Sequence, residues 1–154
     1  MMKLQSNLAL LQDPVAQQLL VSRQLARLAY TWTDGTPRVV PIWFHWDSRA
    51  VVLGTPVRAP KLRALSRNSS VSVTIDDSPS WPYKALLLRG QASVEMLDDV
   101  SPEYEASAYR YFGDTQGEAW LSQLRDVPMA RITIEPTWVR VLDFVTRFPS
   151  ALSA

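Results

Sequence analysis

The chain has 154 residues, 47% of them hydrophobic and 20% charged, which suits one soluble globular domain able to bury a core without disulfides or metal. Sixteen basic residues against fifteen acidic ones leave a net charge of +1, so no global field recruits nucleic acid or an anionic membrane, and neither is an expected partner. The absence of cysteine removes disulfides, zinc ribbons, iron–sulfur clusters and cysteine nucleophiles together.

Residues 1–12 interrupt their leucines with Lys3, Gln5, Ser6 and Asn7, which leaves no continuous signal-peptide core. No apolar run approaches the ~20 residues of a membrane span, and we expect a cytoplasmic protein. Repeats, low-complexity tracts and linkers are absent, so residues 1–154 read as one domain, its core at about 24–144.

Asp13-Pro14 starts a short helix through Leu19, Leu20 and Arg23, because Asp caps and Pro suits the first helical position. Residues 25–33 favour a strand, and Asp34-Gly35 is the dipeptide of two-residue hairpins. Residues 36–46 read as a second strand. Val39, Pro41, Trp43 and His45 share one face, and Arg38, Val40, Ile42, Phe44 and Trp46 the other, both largely apolar. Pro41 cannot donate to a ladder, so it marks an edge, a bulge, or a place where something other than a strand lies alongside.

Asp47-Ser48-Arg49 closes a second hairpin onto a third strand at 50–55, and Pro60 opens a helix that turns Leu62 and Leu65 inward. A fourth strand at 70–75, a loop at 76–82 and a long fifth strand at 83–96 follow. Ser101-Pro102-Glu103 caps a helix reaching Phe112. Thr115 and Glu118 form a capping box for another helix, with Trp120, Leu121 and Leu124 as its buried stripe. Residues 129–134 and 137–144 are two last strands split by Glu135-Pro136. The expected fold is mainly β: an antiparallel barrel of six or seven strands, a short helix after the third, and a two-helix insert before the last strands.

Between Asp47 and Asp76 lie five basic residues, Arg49, Arg58, Lys61, Arg63 and Arg67, and no acid. Thr55 ends a strand, Arg58 follows in the loop and Lys61 sits in a first helical turn, where free backbone N–H groups already favour an anion. That combination would hold a phosphate. Arg63 and Arg67, four apart, read equally well as a solvated face. A cation near a helix N-terminus opposes the helix dipole, so Lys61 is locally unfavourable unless an anion compensates.

Trp43, Trp46, Trp81, Tyr83, Tyr109 and Tyr111 offer flat surfaces to a planar heterocycle or serve as core filling. Trp81, in a proline-rich loop with no obvious core to enter, stands out as a lid for a site or a dimer seam. His45 is the only histidine, which argues against multi-imidazole metal sites and a Ser/His pair. Asp76-Asp77 and Asp98-Asp99 point to opposite strand faces and end strands rather than forming a catalytic pair. No phosphate-loop or dinucleotide glycine fingerprint occurs.

The run Thr-Asp-Gly-Thr-Pro-Arg-Val-Val-Pro-Ile-Trp-Phe at 33–44, the strand closing on Thr55, the helix opening Lys61-Leu62-Arg63-Ala64-Leu65, the strand Val71 to Asp77 and the segment Tyr109-Arg110-Tyr111-Phe112-Gly113 form an ordered pattern. It resembles the pyridoxamine 5'-phosphate oxidase-like superfamily of flavin-binding split barrels, especially its flavin- and deazaflavin-dependent oxidoreductase branch, over roughly residues 24–144. The resemblance implies a homodimer with the cofactor, FMN or a 5-deazaflavin coenzyme, in a cleft between subunits. Thr55, Arg58 and Lys61 would hold its phosphate, with the ring beside Arg38, Val39, Val40, Pro41 and Trp43, and Trp81 nearby. The cofactor would perform the redox step on a small conjugated substrate, with no catalytic side chain and no metal.

Two departures from the pattern stand out. The substrate-binding basic residues of true pyridoxamine phosphate oxidases have no counterpart in the ending Pro149-Ser150-Ala151-Leu152-Ser153-Ala154, which argues against vitamin B6 oxidation. Ala64 stands where many members of the branch carry Asn. The competing expectation is a non-catalytic binding or carrier protein for a flavin or a tetrapyrrole, because fold alone does not decide function. Nucleic-acid binding on a small barrel is disfavoured by the neutral charge balance.

Overall fold

In a computed structural model, residues 7–147 are described; the polar start at 1–6 and the ending at 148–154 lie outside them. A 3-10 turn, Leu8–Gln12, leads into helix α1, Pro14–Leu20. Asp13 caps α1 by accepting from the Val15 N–H at 2.9 Å, and Val15, Ala16, Leu19 and Leu20 are buried. Arg23 lies beyond the helix end. Strands β1, Ala26–Thr31, and β2, Pro37–Ile42, follow.

The turn between them has three residues rather than two. Trp32 accepts from the Gly35 N–H and donates to the Thr36 carbonyl, which puts Gly35 at φ 86, a conformation that favours glycine. Strand β3 is only His45–Trp46, and its turn to β4, Val51–Pro56, is tied by Asp47 Oδ1 accepting from the N–H groups of Arg49 and Ala50. Helix α2, Pro60–Arg67, buries Leu62, Ala64 and Leu65. Strand β5, Ser70–Asp77, and β6, Lys84–Leu97, precede α3, Pro102–Phe112, and α4, Asp114–Ser122. The last strand, β7, is Met129–Asp143.

The seven strands form one antiparallel sheet in the order β2-β1-β5-β6-β7-β4-β3. Ile42 pairs with Ala26 at one margin and His45 with Val52 at the other, so Trp43 and Phe44 alone connect the two ends of the sheet. Three Cα steps span at most about 11 Å. The sheet therefore rolls until its margins meet, yet among the described residues no ladder joins β2 to β3 or β4: a split barrel, mainly β, with four helices in that span. Leu28, Leu53, Ile75, Leu86, Leu88, Ile132 and Ile134 fill its interior at 0–1% exposure. Each such side chain stabilises the fold by about 1.5–3 kcal/mol.

Further expectations from sequence are corrected. The strand expected at 36–46 is divided at Trp43-Phe44, because the Phe44 carbonyl is taken by Ser107 Oγ (3.0 Å) and by the Arg110 guanidinium instead of a neighbouring strand. The two final strands are one: Arg89 faces Trp138 while Gly90 faces Pro136, so Thr137 is an extra residue and the missing Pro136 N–H falls at a bulge. The capping box at 115–118 does not form. Helix α4 begins at Asp114 behind Gly113 with no side-chain cap, and Glu118 instead accepts from the Tyr109 hydroxyl at 2.6 Å. Only Leu121 of the expected stripe is buried; Trp120 is 38% exposed. Pro41 lies on a margin strand, as its missing donor requires. No helix among the described residues is long and apolar enough to cross a membrane.

Candidate functional site

The unjoined margins leave a cleft of about 490 Å³ between β2 and β4. Val40, Pro41, Ile42 and Trp43 form one wall, and Gly54, Thr55 and Pro56 the other. Lys61 closes one end, and Tyr104 of α3 and Trp120 of α4 form the aromatic remainder. Alternation along β2 decides which side chains point outward: Val39 is 66% exposed and Pro41 is exposed, while Val40 and Ile42 pack against the core.

Thr55 is 3% exposed, and its hydroxyl accepts a hydrogen bond from the Lys61 ammonium at 2.9 Å. Lys61 is half-buried, and burial pushes its pKa below the ordinary lysine value. Among the described residues no carboxylate pairs with it, so only one of its three N–H donors has a partner. Pro56 and Pro60 flank the loop that sets this spacing, and the Pro56 carbonyl accepts from the Ala59 N–H at 3.0 Å. The result is a cation with unspent donors at the start of a helix, facing an apolar cleft.

The opposite end is aromatic. The Trp43 ring stacks on Tyr111 at 5.1 Å and 15°, and meets Tyr104 at 5.7 Å, Phe112 at 5.1 Å and Trp120 at 6.2 Å. Its backbone is fixed through the next residue, whose carbonyl is held by Ser107 and Arg110. A Cβ on Gly54 would overlap Cδ2 of Tyr104, so only glycine at this point of β4 lets the phenol ring lie so close to the strand.

Of the residues singled out from sequence, Val40, Pro41, Trp43, Thr55 and Lys61 meet in this cleft. Arg38 and Val39 are both exposed, on opposite faces of the same strand, with the Arg38 guanidinium 5.3 Å from the Trp32 ring centre. Arg58 is exposed in the loop before α2 and does not line the cleft. Trp81, 62% exposed, packs on Tyr83 and Phe144 elsewhere on the barrel. Arg49, also exposed, pairs with Glu135 through two 3.1 Å bonds and does not line the cleft. Among the described residues no group of three or more His, Asp or Glu is placed to hold a metal ion.

Sequence reasoning missed Gly54, Tyr104 and Trp120. A signal existed for Tyr104: positions 104, 107, 108 and 111 follow the spacing of one helix face, with Ser107 and Ala108 buried between two tyrosines that both touch Trp43.

Comparison with known proteins extends these observations. The family description "Pyridoxamine 5'-phosphate oxidase" matches residues 13–143. No curated protein matches the sequence. Among solved structures, an F420 reductase is 27% identical over 79% of this chain and 93% of its own, with a TM-score of 0.64. A conserved hypothetical protein from Mycobacterium tuberculosis is 16% identical over 100% of this chain and 93% of its own, TM-score 0.69. The heme storage protein HutZ from Vibrio cholerae is 21% identical over 85% and 93%, TM-score 0.57. The last two share the fold.

Proposed function

As a chain that belongs to the pyridoxamine 5'-phosphate oxidase family, this protein is, we propose, a flavin- or deazaflavin-dependent oxidoreductase acting on a small conjugated molecule. The observation that carries the reading is the half-buried Lys61 ammonium, bonded among the described residues only to Thr55, at the rim of a cleft whose other end is aromatic. A phosphate on a planar heterocycle meets both halves: anionic oxygens for the Lys61 donors, a flat ring for Trp43 and the β2 wall.

The residues present fit such a group. Thr55 and Lys61 would hold the phosphate, with Arg58 one loop turn away. Val40 and Pro41 would flank the ring. A bound flavin or deazaflavin supplies the hydride or electron transfer. The chain's own residues bind, orient and exclude water, and no side chain is assigned a nucleophilic or acid–base role. Likeness to an F420 reductase favours a deazaflavin as much as FMN. The same reading makes the protein a cytoplasmic homodimer, whose second copy would cover the exposed part of β2 around Arg38 and Val39 and complete the site.

A carrier that binds a flavin or tetrapyrrole without turnover is the alternative. Binding of heme iron needs an axial ligand, and the single histidine, His45, lies outside the cleft lining. A histidine-ligated heme in this cleft is thereby disfavoured, and the flavin carrier is the competitor tested below.

The test is an absorbance spectrum of the purified protein, then titration with FMN and with the deazaflavin, then turnover with a reductant and an electron acceptor. Saturable binding with a shifted visible band and turnover supports the oxidoreductase. Binding without turnover supports the carrier, and binding of neither removes both readings.

A further inference from the structure

Tyr104 enters the cleft from the first turn of α3, and its hydroxyl accepts a hydrogen bond from the Trp120 indole Nε1 at 3.0 Å. A phenol both accepts and donates. Its accepting capacity is used by Trp120, while its own hydrogen meets no acceptor among the described residues. Burial moves the phenol above its ordinary pKa, so the hydrogen is kept at neutral pH. Three neighbours fix where it sits: Gly54 beneath the ring, Trp43 beside it and Trp120 at the hydroxyl. Among the described residues a donor so held is left to water or a ligand, and an indole N–H donating to the same oxygen strengthens it as a donor.

Resting on the redox reading above, we propose that Tyr104 is the specificity-determining hydrogen-bond donor of this cleft. It bonds a carbonyl-type acceptor on a planar, uncharged conjugated ring, with Trp120 fixing its direction. The cleft then takes conjugated carbonyl compounds in preference to hydrocarbons of the same shape, because a ring without an acceptor strips water from the phenol and returns nothing. The acceptor belongs either to the substrate or to the ring of the cofactor, and both present the same chemistry.

Tyr104→Phe removes the hydroxyl and keeps the ring against Gly54 and Trp43. Two near-isosteric probes, coumarin with a carbonyl and naphthalene without, are measured by equilibrium dialysis against wild type and variant, in the protein alone and in the protein saturated with FMN. We expect coumarin to bind the variant about three- to tenfold more weakly, the loss of one neutral hydrogen bond, with naphthalene unchanged. Trp120→Phe is expected to fall between the two. A coumarin loss that persists in FMN-saturated protein assigns the acceptor to the substrate. A weakening of FMN itself in Tyr104→Phe, with coumarin unchanged in FMN-saturated protein, assigns it to the cofactor; both outcomes support the donor role. Equal losses for coumarin and naphthalene, no loss for either coumarin or FMN, or no coumarin binding by wild type overturn it. If wild type binds neither FMN nor the deazaflavin, the redox reading falls, and the two probes on the protein alone still decide on Tyr104.

Discussion

The Lys61 ammonium donates to Thr55 Oγ1 at 2.9 Å and thereby ties the first turn of α2 to the end of β4. The position is electrostatically awkward: a cation at a helix N-terminus opposes the dipole, and burial lowers its pKa. The structure tolerates this charge where an anion would reward it. Lys61→Ala is therefore expected to leave the stability of the ligand-free protein unchanged or slightly higher. It should weaken FMN by about tenfold or more, the loss of a charge-assisted hydrogen bond. Riboflavin, which lacks the phosphate, should bind wild type and variant alike. Paired calorimetric titrations decide, and an unchanged FMN affinity removes Lys61 from the site.

Gly54 stands in the cleft wall directly against the Tyr104 ring. Its backbone is ordinary strand, so alanine introduces no strain of its own, but the added Cβ overlaps the Tyr104 ring and approaches Met129 Sδ at 3.0 Å. Gly54→Ala is expected to cost about 1–3 kcal/mol, in the range of overpacked core positions, and to displace Tyr104 from Trp43. Urea unfolding reads the first effect and tryptophan emission the second. A variant as stable as wild type with unaltered emission would mean that the ring moves aside freely.

Arg110 reaches two chain segments from α3: Nε donates to the Ser22 carbonyl at 3.0 Å and the guanidinium to the Phe44 carbonyl, while it lies 4.9 Å from the ring centres of Phe44 and Tyr111. It thus pins the two-residue crossover that closes the barrel. Arg110→Lys keeps the charge and loses the planar fork. We expect a loss of about 1.5–3 kcal/mol, as for hydrogen bonds from a charged donor, together with a weaker Trp43–Tyr111 stack. Denaturant midpoints and near-UV circular dichroism measure the two, and full stability in the lysine variant would assign the crossover to Ser107 alone.

Local chemistry carried much of the fold in advance. Asp13-Pro14, Pro60 and Ser101-Pro102 mark helix starts through groups within a few residues, and all three helices begin there. The Thr55–Lys61 end of the site was legible for the same reason, since six residues of chain suffice to bring the pair together. The division at Trp43-Phe44 was not, because alternation runs unbroken through both residues and the break is imposed by Ser107 and Arg110, more than sixty positions later. Pro136 misled in the opposite sense: a missing donor reads as a strand end, but a bulge at Thr137 absorbs it within one long strand. Tyr104 lies on the helix face marked by positions 104, 107, 108 and 111, but its meeting with Trp43, like the arrival of Trp120 from the next helix, comes from tertiary packing of the helical insert, which no local spacing encodes.

His45 is the only histidine and sits half-buried in β3, with no hydrogen-bond partner for Nδ1 among the described residues. Burial and the nearby Arg110 lower its pKa from the ordinary 6.5, against opposing pulls from Glu103 and Asp47. In the unfolded chain the imidazole takes up its proton near the ordinary value, so below it the unfolded state binds protons more readily than the folded one. Stability is accordingly at its full value above about pH 6.5 and falls as pH drops from there towards the lower folded-state pKa. His45→Gln removes this dependence while the carboxylates contribute alike in both proteins. Urea midpoints at pH 7.5, 6.5 and 5.5 should therefore decline in wild type and stay flatter in the variant. Parallel declines would mean that His45 protonates as easily in the barrel as in water.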